Sequence, residues 1–178
     1  MYEYNNRAVD LSDSVRAIEK IKDTILPKLI GGEIISVEEN ENEILTILDQ
    51  NSGIDYFRKN EHGLQGIASR VQFGDDYRTF TIRYSRFSGS KTEYEKRKYQ
   101  IENNYLYPTF TMQAYFDNRE DLNLLSIGII KTVDLYNVIE TSDKVRINSS
   151  DNEFKYIGWC DIPKGMVKTW IVKILTKT

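Results

Sequence analysis

The chain has 178 residues, 40% hydrophobic and 12% aromatic, which is enough apolar material for one folded domain rather than a disordered tail. Its single cysteine, Cys160, excludes an internal disulfide framework, and its single histidine, His62, excludes His-pair metal motifs. A net charge of −3 excludes a whole-molecule basic signature, so any polyanion binding must be local.

In chain order, positions 12–30 read as a helix. Val15, Ile18, Ile25 and Leu29 share one face, Ile21 and Leu26 widen the stripe, and Ser12 is the expected cap. Gly31 and Gly32 end it, with Pro27 bending or stopping the last turn. Strand-like segments follow at Glu33–Val37, Glu43–Leu48, Asp55–Phe57, Gly66–Phe73 and Thr79–Tyr84, separated by Asn-, Ser-, Gly- and Asp-rich turns. The last two are expected to pair as antiparallel neighbours across the Gly74–Arg78 turn. A second helix is expected at about Thr92–Asn103, then a strand at Tyr107–Phe116 and a buried strand at Leu124–Thr132. A short helix at Val133–Glu140 and strands at Phe154–Trp159 and Lys168–Leu175 complete the chain.

This order predicts an α+β (mixed α/β) fold with a central mixed sheet flanked by helices. One domain over 1–178 is expected, with a core at about 12–140 and the strands within 154–175 closing it. The stretch 141–153 reads as a long loop. No apolar run approaches the ~18–20 residues of a membrane span, and the opening MYEYNNRAVDL is too polar for a signal peptide, so a cytoplasmic protein without membrane contact is expected. The composition, rich in Asn, Ile, Lys and Tyr, is compatible with an AT-rich bacterial or phage genome.

Charge is segregated along the chain. Residues 1–50 carry five basic side chains against eleven acidic, whereas 69–98 carry eight against four. Such a basic stretch either holds a polyanion through phosphate contacts or is a solvated face. Arg83, Arg86, Lys91, Lys96 and Arg97 are its candidate nucleic-acid contacts. Tyr77, Tyr84, Tyr94, Tyr99, Tyr105, Tyr107 and Tyr115 lie in or just after it. Aromatic rings among basic residues can stack bases, although strand periodicity favours core packing for Tyr84 and Tyr107.

Asp55 follows Gly53 and Ile54 at the edge of an apolar strand. It is either a strand-end metal ligand of the kind phosphodiesterases use or a turn residue. Within Ile67–Gln72, period two places Ile67, Ser69 and Val71 on one face and Ala68, Arg70 and Gln72 on the other. Arg70 and Gln72 either build a site near Asp55 or form the solvent side of a strand.

The helix, the strands, Gly53-Ile54-Asp55, the hairpin, the strand bearing a basic residue and the following helix together resemble the PD-(D/E)XK nuclease superfamily over about residues 12–116. The resemblance implies a restriction-endonuclease-like core, DNA as partner and Mg²⁺-assisted phosphodiester hydrolysis, making the chain a candidate metal-dependent deoxyribonuclease. It casts Asp55 as the first acid, puts Ala68 where the second acid belongs and Arg70 where a lysine belongs. Arg70 cannot act as a general base, only stabilise charge, with Gln72 as an orienting polar group. Some members recover the missing acid from the following helix, which makes Glu93 the candidate ligand, with Glu95 behind it. Both glutamates also complete S/T-x-x-E capping boxes, Ser90 with Glu93 and Thr92 with Glu95. Glu19 stands where some members keep an extra metal-binding acid, or is solvent decoration. The competing reading is a non-catalytic nuclease-like module that binds nucleic acid or a protein partner, and a homodimer is a further option. His62 is assigned no role, and Cys160 is expected to be buried and inert. No phosphate loop, nucleophile elbow or dinucleotide fingerprint occurs.

Overall fold

Strand β5 (Phe110–Phe116) is the pivot of the molecule, because its alternating side chains are wanted on both sides. Met112, Ala114 and Phe116 enter one apolar core and Tyr115 enters another. The computed structural model describes residues 2–37, 51–86, 88–148 and 153–172. The expected strand Glu43–Leu48, and the end of the strand expected at Lys168–Leu175, lie outside them. Around β5 a six-stranded sheet assembles in the order β1 (Glu33–Ser36), β2 (Tyr56–Asn60), β3 (Gly63–Phe73), β5, β6 (Leu124–Lys131) and β9 (Val167–Ile171). Among the described residues only the β3–β5 pairing is parallel, with Ile67 opposite Phe110 and Arg70 opposite Gln113. A second sheet has the order β4 (Thr79–Arg83), β8 (Phe154–Gly158), β7 (Arg146–Ile147). The mixed α+β class therefore holds, and the strands expected to close the domain divide between two sheets.

The first core lies where helices α1 (Tyr2–Lys22) and α2 (Leu26–Ile30) cover the large sheet. Ile18, Ile21, Leu26 and Ile30 bury themselves against Ile67, Met112, Ala114 and Ile127. The single helix expected at 12–30 is thus two. Ser12 falls inside α1 instead of capping it, and the chain turns before Leu26. Pro27 then occupies the first turn of α2, where its missing amide donor costs nothing. Gly31, at φ 71°, ends α2 with its amide donating to the Pro27 carbonyl at 2.8 Å.

The second core lies on the opposite face. Phe80, Ile82, Tyr115, Ile130, Ile157 and Trp159 form it, closed by Leu135, Tyr136 and Ile139 of α4 (Thr132–Thr141). Tyr94 and Ile101 of α3 (Glu93–Glu102) pack against its rim. The expected antiparallel pairing of 66–73 with 79–84 does not occur. Both edges of β3 are already taken, by β2 and by β5, and the Gly74 amide extends the β3–β5 ladder to the Phe116 carbonyl. After the turn, β4 leaves the large sheet and pairs with β8. Tyr115 pins it there, its hydroxyl accepting from the Thr79 amide at 3.1 Å and donating to the Thr79 carbonyl at 2.9 Å. The parallel β3–β5 step needs a long crossover, and β4 and α3 supply it. Among the described residues no helix is long and apolar enough to cross a membrane.

Candidate functional site

The chain reaches β2 through Gly53-Ile54-Asp55, and packing explains each residue. Gly53 has φ +58°, and a Cβ there would sit 2.7 Å from a guanidinium nitrogen of Arg97. Ile54 is fully buried and lies against Gly66, where a Cβ would come within 2.8 Å of its side chain. Asp55 then joins the sheet edge: its amide donates to the Ile67 carbonyl at 2.9 Å, and its carbonyl accepts from the Val37 amide at 3.0 Å. Its Oδ2 accepts from the Ser69 amide at 2.5 Å and the Ser69 hydroxyl at 3.0 Å. Where β2 has not yet begun, the carboxylate stands in for the missing strand.

The next residue along β3 turns to the other face of the sheet. Arg70 Nη2 meets Glu93 Oε2 at 2.5 Å, both side chains about a third exposed (30% and 33%). Which glutamate caps α3 is therefore decided. Thr92 and Glu95 form the box: the Thr92 hydroxyl accepts from the Glu95 amide at 3.2 Å, and Glu95 Oε2 accepts from the Thr92 amide at 2.8 Å. Those bonds from Thr92 hold the Glu95 carboxyl below its usual range. The expected alternative box, Ser90 with Glu93, does not form, because Glu93 is the first helical residue and is engaged by Arg70.

Arg97, one turn further along α3, ties helix and loop together. It is only 7% exposed, and its guanidinium donates to the carbonyls of Ser52 and, at 3.4 Å, Gly53. Burial lowers its pKa, opposed by the phenol of Tyr136 and the charges of Glu93 and Asp55, and a guanidinium remains cationic regardless. Both acids thus lie within electrostatic reach of one buried cation. Of the expected nucleic-acid contacts, Arg97 is the buried one, bonded to two carbonyls of the loop before β2.

The other expected contacts are distributed around this corner. Arg86 and Lys96 line a small cavity of about 160 Å³ with Glu93 and Arg97. The Nε of Arg86 itself is buried without a hydrogen-bond partner among the described residues. Arg83 and Arg70 each place a guanidinium 5.3 Å from the centre of the Phe154 ring, so the two cations share one ring of the second sheet. Lys91 is exposed, 5.7 Å over the ring of Tyr99. Gln72 lines a separate hollow of about 350 Å³ between the sheets, with Arg70 and Thr81. Ala68 lies opposite Thr111 in the parallel ladder.

Glu19 does not join the corner. It sits on α1, which packs on the first core, and pairs with Lys22 one turn away. Glu93 opens α3 on the opposite face, so the sheet separates the two acids. Cys160 is exposed, contrary to expectation: β8 ends at Gly158, and Trp159 takes the buried place over Gly128. His62 is exposed in the β2–β3 turn. Among the described residues no three His, Cys, Asp or Glu side chains gather as a metal-holding group.

Two features escaped the sequence reading. Gln113 is 1% exposed beside Arg70, its Oε1 accepting from Thr81 at 3.1 Å, although strand alternation does single out its face. The rings of Tyr99 and Tyr105 stack at 5.8 Å, an arrangement made by the turn after α3 that no periodicity reports. Compared with known protein families, curated proteins and solved structures, the chain matches none.

Proposed function

We propose that this chain is a DNA-acting protein built on a nuclease-like scaffold, and that it binds the phosphate backbone at the corner formed by Arg70, Arg86 and Lys96. The observation that carries the reading is the pair of cations, Arg86 and Lys96, that line one small cavity beside Glu93. Two cations on one cavity favour a phosphate, whose oxygens accept charge-assisted bonds from guanidinium and ammonium donors. The element order of helices, strand, hairpin, a further strand, helix and strand is compatible with that scaffold.

A second reading, metal-assisted hydrolysis, is favoured by the capping arrangement. Thr92 and Glu95 complete the box, which leaves Glu93 out of it and turned toward β3. Mg²⁺ in proteins is held by one or two carboxylates with waters and substrate phosphates, and Glu93 alone would meet the lower count once it releases Arg70, with Asp55 added only if its carboxylate leaves Ser69. When bound, the ion would supply an activated water. Arg70, freed from Glu93, would then hold the phosphate charge. The opposing observation is that Asp55 already caps Ser69, and that reading takes its carboxylate as structural.

Salt-dependent DNA binding separates these readings from a scaffold that serves a protein partner. Replacing Arg86 and Lys96 together by Ala should weaken duplex binding and flatten its log–log salt slope by about 0.9 for each phosphate no longer neutralised. A wild-type protein that binds no DNA at low salt overturns the proposal in favour of the protein partner. Mg²⁺-dependent nicking that EDTA abolishes, and that Asp55→Asn and Glu93→Gln both lose, would establish the hydrolytic reading.

A further inference from the structure

We infer that the outer face of α3 is a docking site for single-stranded nucleic acid, with an unpaired base stacked on the Tyr99–Tyr105 pair and its phosphates held by Lys91 and Lys96. The inference rests on the DNA-binding reading above and narrows it to unpaired strands. Tyr94, Arg97 and Ile101 point α3 inward, so Tyr99 is left on the outside, 53% exposed. Asn104, with φ 54°, then reverses the chain, and the Tyr105 amide donates to the Gln100 carbonyl at 2.9 Å. That turn returns the Tyr105 ring, itself 57% exposed, onto Tyr99 at 29° between planes. Two rings ordered in advance lose little freedom when a third ring stacks on them.

The setting suits a nucleotide better than an apolar ligand. The rings line a cavity of about 590 Å³ together with Lys91, Lys96 and Leu106. The Glu95 carboxylate also borders it, but is committed to the Thr92 amide and hydroxyl. Lys96, Gln100, Asn51 and Ser52 border both this cavity and the small one containing Arg86 and Glu93, so the groove leads from the rings to the proposed phosphate corner. Paired bases hide their faces in the duplex stack, whereas an unpaired base offers one to a tyrosine.

Fluorescence anisotropy with labelled oligothymidine of about twelve nucleotides, its fully abasic counterpart and a duplex of equal length tests this at low salt. Wild type should favour oligothymidine over the abasic strand by about tenfold, the scale of one stacked base. Tyr99→Ala and Tyr105→Ala should each erase that preference with unchanged melting temperature, and Tyr99→Phe should keep it, since stacking uses the ring and not the hydroxyl. Equal affinity for the two strands, with Arg86→Ala still weakening both, overturns stacking and leaves the phosphate reading standing. Tighter binding to the duplex than to oligothymidine also overturns it. No binding to any of the three overturns both.

Discussion

On one face of the six-stranded sheet, Met112, Ala114 and Ile127 meet Ile18, Ile21 and Leu26 of two helices. On the other, Tyr115 and Gln113 meet a small sheet, and Ser126 the turn before it, through directed bonds as well as apolar packing. Ser126 donates to Asp76, Gln113 accepts from Thr81, and Thr111 lies 3.0 Å from Thr132 between their hydroxyl oxygens. Apolar packing asks only for shape and volume, whereas buried polar bonds specify one arrangement and penalise others. The directed bonds therefore lie on the face where the chain must hold a loop, a strand and a helix start in fixed relation. That face carries Arg70, Glu93 and Arg97.

The sharpest break in this comparison comes from the helix-covered face. Phe116 is fully buried there, and Phe116→Ala should cost about 3–5 kcal/mol in chemical denaturation. A loss under about 1 kcal/mol would mean the first core collapses around the gap and is not close-packed.

Arg97→Met tests the polar face. It keeps much of the buried stem but leaves the Ser52 and Gly53 carbonyls without their donor, so a loss of about 1–3 kcal/mol is expected. An unchanged melt with weakened DNA binding would reverse the assignment and return Arg97 to the binding surface.

A smaller effect distinguishes the two capping boxes. Thr92→Ala should cost about 1 kcal/mol, because its hydroxyl accepts from the Glu95 amide, and Ser90→Ala should leave the melt unchanged. The reverse ranking would place Glu93 in the cap and remove it from the corner.

The smallest expected change is a pH effect. The folded-state pKa of Glu95 lies below its ordinary value of 4.5, so the stability it adds is complete above that value and is lost as pH falls toward the folded pKa. Melts of wild type and Glu95→Gln should therefore converge on acidification below pH 4.5. Parallel curves through that range would show that the carboxylate is no better held in the fold than in the open chain.

Much of the architecture was legible in the residues, for reasons that differ by element. The alternation of Phe110–Phe116, the β-branched run in Leu124–Lys131 and the Thr92 cap are local properties, and the strands and helix start appear where they indicate. Asp55, Arg70 and Glu93 could likewise be singled out, each by its place at a strand start, on a strand face or at a helix start.

What each of these residues touches was decided only in three dimensions. Period two shows that Gly66–Phe73 and Thr79–Tyr84 are strands but not which neighbours they choose, and β5 took the edge of β3 that β4 was expected to fill. Two overlapping S/T-x-x-E boxes are equal in sequence, and the approach of Arg70 from another strand selects between them. Lys96 and Arg97 are adjacent basic residues, yet one is exposed and the other is buried, because successive helical positions lie about 100° apart on a helix packed on one side. Local pattern determines the element a residue joins, since backbone geometry acts over a few residues. Partner and exposure depend on which distant surfaces that element covers.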